Sequence, residues 1–222
     1  VDAAGEAAGV VIANRSGREA IRCKAIIDAT HEAVVAGFLN AERTPFQPGE
    51  QDFDFTVVGN SPKQAKEIIG IHPWKKELQV GSARYTFRYS MPDNSYATLE
   101  KIEQQIRTSL WDADQVDSSD RLWYIPKQNI VCKTHCETLG ASLRDLPLDA
   151  FTPKSTARIW ILGPEADLSR KLTARVMRPV PAMWLGELIG EQVAEQVSKL
   201  SLSRNAEVKK VVARASSYGT IG

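Results

Sequence analysis

Histidines are the side chains here best suited to acid–base chemistry, because imidazole titrates near neutral pH. His31 ends the stretch IIDATH, directly after an apolar run typical of a strand. It is a candidate catalytic base or cofactor contact, and the alternative is a surface histidine that caps a short helix over 32–39. His72, in GIHPWKK, is the second catalytic candidate. It either orients a substrate hydroxyl or lies in an exposed turn around Pro73.

A second group of reactive side chains lies in the stretch CKTHCE, which contains Cys132, His135 and Cys136. This spacing is compatible with a soft metal ion or a covalent link to a flavin. Three potential ligands without a fourth are too few for a zinc site, so we predict no metal centre and a pair of small buried thiols. His135 ranks third among the histidines as a possible base. Only three cysteines occur in the chain, which weakly favours a reducing compartment such as the cytoplasm.

Bulk properties exclude several classes of function. The chain has 222 residues, 43% of them hydrophobic and 25% charged, which is an ordinary globular composition. A net charge of +1 argues against a nucleic-acid-binding protein, which needs a basic surface. No apolar run reaches the ~20 residues of a membrane-spanning helix. The motifs GxSxG, HExxH and the Walker phosphate loop are all missing, so hydrolase and NTPase functions have no support.

Elements that can position these residues lie at both ends of the chain. Residues 9–30 predict a hairpin that turns at Gly17, and its second strand becomes continuously apolar as it enters a covered sheet. The run ARIWILG predicts a second buried strand, and a loop then leads to a long amphipathic helix from about 181 to 200. Gly186 and Gly190 lie one turn apart on that helix, which suggests close approach of a backbone or a flat ligand.

The middle of the chain, residues 45–154, predicts an inserted α+β lobe. FDFTVVG alternates like a half-buried strand, and Ser61 with Pro62 predicts a helix start for SPKQAKEIIGI. The segment around Pro92 has strand composition on both sides of a turn, and 99–114 has helical periodicity. Tyr85, Phe87 and Tyr89 alternate on one strand face; they either line a substrate cavity or pack in the core.

Two of these segments resemble a known family. GVVIANRSGREAIRCKAIIDAT is similar to the β-meander that returns to the nucleotide-binding sheet, and ends in ATG, in FAD-dependent oxidoreductases of the glutathione-reductase-like class. RIWILGPEADLSRKLTARVMRPVPAMWLGELIGEQVAEQV resembles the C-terminal flavin-binding segment of that class. RVM before LGELIG, together with YIPKQNIV at 124–131, resembles the subgroup sometimes labelled xanthan-lyase-like.

The resemblance implies an α/β fold with an inserted lobe. Residues 1–44 and 155–200 would form an incomplete, three-layer, Rossmann-like FAD-binding domain. Residues 45–154 would form an antiparallel-sheet substrate lobe, and 201–222 a tail or linker.

The resemblance also implies a cofactor site for FAD. The first turn of the C-terminal helix, Pro181 to Leu185, would point at the isoalloxazine ring and stabilise negative charge on the reduced flavin. Gly163 would let the strand end lie against the ribityl or pyrophosphate chain, and Asp167 would bind a ribityl hydroxyl. The implied cofactor-binding residues are Thr30, His31, Gly163, Pro164, Asp167, Ala182, Met183, Trp184, Gly186 and Gly190.

Two departures from the family pattern shape the functional hypotheses. The motif GxGxxG does not occur in the chain, and His31 stands where the family has the glycine of ATG. We therefore expect another polypeptide segment to supply the phosphate-binding βαβ unit. The leading hypothesis is part of an FAD-dependent oxidoreductase that transfers hydride from a small organic substrate to flavin. The alternative is a non-catalytic assembly module that keeps the fold and no longer binds FAD.

Overall fold

The computed structural model describes residues 1–58, 64–73, 82–113, 117–118, 128–140, 142–203 and 205–208. The chain divides into two compact units: unit 1 comprises residues 1–45 and 126–212, and unit 2 comprises 46–125 and 213–222. Residues 126–154 thus belong with unit 1, whereas the sequence-based division assigned them to the inserted lobe. The chain is a mixed α/β protein with small sheets, some parallel and some antiparallel.

Twelve helices and strands occur in the described part of the chain. In chain order they are β1 (Gly9–Asn14), β2 (Gly17–Arg22), β3 (Ile26–Asp28), α1 (Val34–Phe38), β4 (Gly49–Val58), β5 (Ile68–Pro73), β6 (Ser82–Met91), α2 (Tyr96–Leu110), β7 (Asp117–Ser118), β8 (Ile159–Ile161), α3 (Arg170–Val176) and α4 (Pro179–Ser198).

Unit 1 begins with the predicted hairpin of β1 and β2, paired antiparallel from Gly9↔Arg22 to Asn14↔Gly17. Gly17 has a φ of 114°, a conformation that glycine adopts without steric cost, so the tight turn needs it. The predicted second strand is not continuous. It breaks after Arg22, and β3 belongs to a different sheet, where it pairs in parallel with β8 from Ile26↔Ile159 to Asp28↔Ile161.

The last third of unit 1 contains a helix that the sequence analysis treated as a loop. Ser169 caps α3 by accepting a hydrogen bond from the Leu172 N–H, and the apolar residues Leu172 and Val176 lie one turn apart and are buried. The long helix α4 was predicted correctly, but it begins at Pro179 rather than at Pro181. Its buried stripe consists of Leu185, Ile189 and Val193.

The core of unit 1 is assembled from short elements and loops. The strand β8 is fully buried and shares one hydrophobic core with residues of helices α3 and α4 and of the 3-10 turns at 143–145 and 148–151. The buried residues of this core are Ala33, Ala36, Ala41, Ile130, Cys132, Cys136, Leu146, Ala150, Phe151, Ile159, Trp160, Ile161, Ala166, Leu168, Leu172, Val176, Leu185, Ile189 and Val193.

Unit 2 is a four-stranded antiparallel sheet in the order β5-β6-β4-β7, with α2 packed on one face. The face toward α2 carries the aromatic pairs Phe53↔Phe87 and Phe55↔Tyr85. From α2 it receives the predicted stripe, which is buried as expected: Leu99, Ile102, Ile106 and Leu110. Tyr85 and Phe87 are therefore core residues, in agreement with the packing alternative, and Tyr89 packs at the edge of this core.

Two sequence predictions in unit 2 were wrong. Residues 68–71, predicted to be helical, lie in β5, while Ser61 and Pro62 lie outside the described residues. The segment after Pro92 is helical rather than extended, because Ser95 accepts a hydrogen bond from the Thr98 N–H and starts α2. Among the described residues, no helix has the length and apolarity to span a membrane.

Candidate functional site

Both strands of the parallel sheet end at the same edge, and their ends touch. The Leu162 N–H donates to the Asp28 carbonyl over 2.8 Å. A Cβ on Gly163 would lie 3.1 Å from the carbonyl oxygen of Thr30, a tight contact that the glycine avoids. Ligands of open α/β sheets bind outside the carboxyl ends of parallel strands. We call this edge the strand-end site and define it by Asp28, Thr30, Gly163 and Glu165.

Asp28 organises the backbone of the strand-end site. Its side chain is buried and accepts from the Thr30 N–H at 3.1 Å, the Thr30 hydroxyl at 2.6 Å and the Ala36 N–H at 2.9 Å. The Thr30 hydroxyl oxygen in turn accepts from the Val34 N–H at 2.8 Å. These bonds satisfy free N–H groups at the start of α1, where Ala33 provides no side-chain cap. Asp28 therefore couples the strand end to the helix.

Glu165 is the one acidic residue of the strand-end site with an unsatisfied oxygen. The residue is 5% exposed, and its buried Oε2 has no hydrogen-bond partner in the described part of the chain. Burial raises the pKa of this carboxyl to about 7, and the nearby negative charges of Glu32 and Asp28 add to the effect. Arg43 acts in the opposite direction. Glu165 is thus a carboxyl group poised to gain or lose a proton near neutral pH.

Arg43 brings positive charge near this carboxyl. Its guanidinium donates to the Gln128 carbonyl at 3.1 Å and to the Glu32 carbonyl at 2.7 Å. Within the described residues it forms no ion pair with a carboxylate, so its charge is not neutralised by direct contact. The guanidinium holds the segment after β3 against residue 128 and partly offsets the acidic character of the strand ends.

Asp167, predicted to bind a ribityl hydroxyl, already uses both carboxylate oxygens within the chain. Oδ2 accepts from the Cys132 N–H at 3.0 Å, and Oδ1 lies 2.7 Å from Nδ1 of His135. This contact and a second one to Glu137 raise the pKa of His135. The geometry gives Asp167 a role in fixing the loop at 132–137, and its flavin contact stays a prediction.

Cys132 and Cys136 are buried free thiols, as the sequence analysis predicted. Burial raises the pKa of both, that of Cys132 to about 12, so neither is activated as a nucleophile. The described residues contain no cluster of His, Cys, Asp and Glu side chains suited to hold a metal ion.

The start of α4 offers few hydrogen-bond donors to a flavin. Pro179 and Pro181 have no N–H, and the Ala182 N–H donates to the Arg178 carbonyl at 2.8 Å. Val180 is therefore the one residue among the first three of the helix with a free N–H. The residues Pro181 to Leu185, predicted to form the first turn of this helix, are therefore preceded by two further helical residues.

The remaining residues predicted on α4 have different surroundings. Met183 is 77% exposed, and the Arg144 guanidinium lies 5.9 Å from the ring centre of Trp184. A Cβ on Gly186 would make an ordinary contact with Leu162 at 3.7 Å, and one on Gly190 would meet nothing within 4 Å. In the described structure no backbone approaches these glycines closely, so the backbone explanation of their spacing is wrong.

The two leading histidines lie in different units. His31 is exposed directly beyond Thr30, next to the strand-end site, and no described residue hydrogen-bonds its imidazole. Pro164 follows Gly163 on the neighbouring strand end. His72 lies on β5 of unit 2, in register with Arg84. The structure therefore brings Thr30, His31, Gly163 and Pro164 together at one edge, and His72 belongs to another surface.

Sequence reasoning missed Glu165 and Arg43. A signal for Glu165 was present, because it stands two residues beyond the glycine that ends a buried strand, where α/β proteins place ligand-binding side chains. Arg43 gave no local signal, since its role depends on residues distant in sequence. Comparison with known proteins adds no relative: no protein-family model matches the chain, and no curated protein matches it.

Proposed function

We propose that the chain is part of an FAD-dependent oxidoreductase in which hydride passes from a small organic substrate to the flavin. One observation carries the proposal. The two segments that resemble the family are 128 residues apart in sequence, from Thr30 to Arg158, yet they pair as neighbouring parallel strands. Their ends, at Thr30 and Gly163, meet at the edge where the family holds its cofactor.

The strand-end site fits the hydroxyl-bearing part of FAD better than its ring. The unpartnered Glu165 oxygen can accept a hydrogen bond from a ribityl or ribose hydroxyl, which would remove the cost of a buried unsatisfied acceptor. The start of α4 fits the isoalloxazine ring poorly, because the Val180 N–H is the sole free donor among its first three residues. The proposed contacts of Ala182, Met183 and Trp184 with the flavin have no further support.

When bound, FAD supplies the hydride acceptor, and the residues of this chain hold and orient it. Asp28 fixes the turn that carries Thr30, and Arg43 offsets the negative charge near Glu165. Glu165 can take up or release a proton near neutral pH, which suits a group beside a cofactor whose charge changes on reduction. His31 is the exposed imidazole nearest in sequence to this edge, and it remains the proposed base.

A free strand edge supports a complementary segment. In a parallel ladder alternate residues bond to opposite neighbours, and Ile26 and Asp28 both bond toward β8. Ile27 therefore presents its backbone groups to the other edge, where the described residues provide no strand. Its side chain is 38% exposed, and Val34 and Phe38 of α1 are 42% and 49% exposed. We propose that a segment with the phosphate-binding βαβ unit pairs here and completes a three-layer sheet domain.

The test is the flavin content of the natural assembly, isolated through a tag on this chain from the cells that make it. We expect yellow material that releases stoichiometric FAD on acid treatment. Replacing Glu165 by Ala should lower FAD retention, whereas Glu187→Ala on the exposed side of α4 should not. An assembly that is colourless, and stays so after incubation with FAD, would contradict the proposal and favour the non-catalytic module.

A further inference from the structure

The polar face of the unit 2 sheet carries a basic pair, Arg84 and His72, for which the described residues provide no acidic partner. We define this polar face by Asp52, Asp54 and Thr56 of β4, Arg84, Thr86 and Arg88 of β6, and Gly70 and His72 of β5. These residues share one face because side chains alternate along each strand and the registers Asp52↔Arg88, Asp54↔Thr86, Thr56↔Arg84 and His72↔Arg84 place them opposite one another.

Two of the three cross-strand pairs between β4 and β6 are satisfied. Arg88 donates to both carboxylate oxygens of Asp52, at 2.7 and 3.1 Å, in a bidentate ion pair. The Thr86 hydroxyl donates to Asp54 at 2.8 Å. The acidic side chains of this face therefore already have partners on β6, and the third pair is different.

Arg84 lacks such a partner. Its Nε is buried, and no described residue accepts a hydrogen bond or forms an ion pair with its guanidinium. The residue as a whole is half-buried, so solvent reaches other parts of the side chain. A guanidinium N–H removed from water without an acceptor is costly, and an acceptor from outside the chain would remove that cost.

His72 provides a second donor beside Arg84. The two residues are direct neighbours across β5 and β6, and His72 is exposed. The imidazole Nε2 lies 3.4 Å from the position that a Cβ on Gly70 would occupy. The imidazole therefore lies beside Gly70 on the polar face, one residue pair along the strands from Arg84.

We propose that Arg84 and His72 bind a small organic carboxylate on the polar face of unit 2. A guanidinium matches the two oxygens of a carboxylate with parallel N–H donors, and imidazole adds one donor. A dianion such as phosphate fits less well, because Asp54 lies one residue pair away on the same face and would repel the second charge. The site needs no flavin and is independent of the proposed function.

The test is an NMR titration of the full chain that follows the side-chain Nε–H resonances of Arg84 and Arg88. Pyruvate is the probe, with acetate as the simplest carboxylate and inorganic phosphate as the competing anion. We expect pyruvate to shift the Arg84 resonance along a saturating curve while the ion-paired Arg88 responds weakly. Arg84→Lys, which keeps the charge and loses the planar fork, should weaken binding about tenfold, and His72→Ala should weaken it less.

Three results would overturn the proposal. Equal shifts at Arg84 and Arg88 would mean general charge screening, and phosphate binding at least as tight as pyruvate would exclude a carboxylate-selective site. A flat Arg84 response in the wild-type chain would exclude the site altogether, without relying on the folding of any variant.

Discussion

The two units of this molecule differ in the polar side chains that they bury. Every buried polar or charged side chain in the described residues belongs to unit 1, namely Asp28, Thr152, Glu165, Asp167 and Thr173. The core of unit 2 consists of aromatic and aliphatic residues between one sheet face and α2. Burying a carboxylate costs free energy unless it is paired, and among the described residues only unit 1 contains buried carboxylates, those of Asp28, Glu165 and Asp167. Such a cost is typical of a region that retains ionisable groups for chemistry.

A matched pair of aspartates makes the comparison specific. Asp28 of unit 1 and Asp93 of unit 2 both hydrogen-bond a threonine hydroxyl and a backbone N–H near the start of a helix. Asp28 is buried, whereas Asp93 is exposed. The two residues make similar hydrogen bonds but differ in burial. Substituting each of them therefore separates the contribution of burial to stability from that of helix capping.

The largest predicted effect is that of Asp28→Ala. It leaves the buried Ala36 N–H without its acceptor inside the protein, at about 1–3 kcal/mol, and it removes the hydrogen bonds of the N–H and hydroxyl of Thr30, for which water can substitute in part because Thr30 is exposed. We expect unit 1 to lose about 3 kcal/mol of stability, measured by hydrogen exchange with mass spectrometry on peptides covering residues 26–38.

Asp93→Ala is the matched control for Asp28→Ala. Water can replace the lost acceptor at the exposed cap, so we expect a much smaller loss, confined to peptides of α2. Equal losses for the two substitutions would show that burial adds nothing and would remove the distinction between the units.

The second predicted effect concerns Glu165 and depends on pH. Its pKa is raised from 4.5 to about 7 in the folded protein, so the folded state binds the proton more tightly than the unfolded state. Stability is therefore highest when the group is protonated in both states, and it falls as the pH rises from about 4.5 to 7. The size of this pKa shift corresponds to a loss of ~3 kcal/mol of folding stability above neutral pH.

Glu165→Gln tests this sign. Because glutamine has the shape of the protonated acid, we expect the variant to be more stable than the wild type by up to ~3 kcal/mol at about pH 8, and by under ~1 kcal/mol at about pH 5. Urea denaturation at the two pH values measures the difference. The control Glu187→Gln, on the exposed side of α4, should be neutral at both. A loss of stability at about pH 8 would mean that the ionised carboxylate is stabilised by the fold.

Regular elements with strong periodicity were predictable from the sequence. The hairpin β1–β2, the stripe of α2 and the stripe of α4 follow from local spacing. The strand β5 was missed because Ile68, Ile69 and Ile71 are compatible with both helical and strand periodicity. The helix-start signals before them then led to the wrong prediction of a helix. The short helix α3 had a cap at Ser169 and an i, i+4 apolar pair, but a loop was assumed.

The candidate site was predictable in part. Thr30, His31 and Gly163 were singled out because both segments end apolar strands, and the parallel pairing of β3 with β8 places the two strand ends at one edge. The cofactor-binding role of these residues stays a prediction. The burial of Glu165 could not be read from its type, since glutamate is usually exposed and its environment comes from loops distant in sequence. The same holds for Arg84, whose lack of a partner is a property of register across three strands.

The smallest predicted effect concerns His135 and sharpens the comparison through pH. The hydrogen bond to Asp167, followed by that to Glu137, raises the pKa of His135 above its usual value. The stability this supplies is fully present below the unfolded-state pKa and is lost as the pH rises through the folded-state pKa. For Asp93 in unit 2, hydrogen bonds from Ser95 and Thr98 lower the pKa, so its contribution is lost as the pH falls.

The two units should therefore respond to pH in opposite directions at these sites. The side chain of His135 is 53% exposed, and solvent screening keeps its effect well under ~1 kcal/mol. We expect His135→Gln to destabilise residues 132–137 in acid and to have less effect in alkali, as measured by hydrogen exchange of that segment. Glu137→Gln should remove a smaller part of the stability that charged His135 supplies, because Asp167 lies closer to the imidazole, at 2.7 Å against 3.2 Å. A His135→Gln effect that grows with rising pH would reverse the sign, and would show that neutral rather than charged imidazole holds the loop at Asp167.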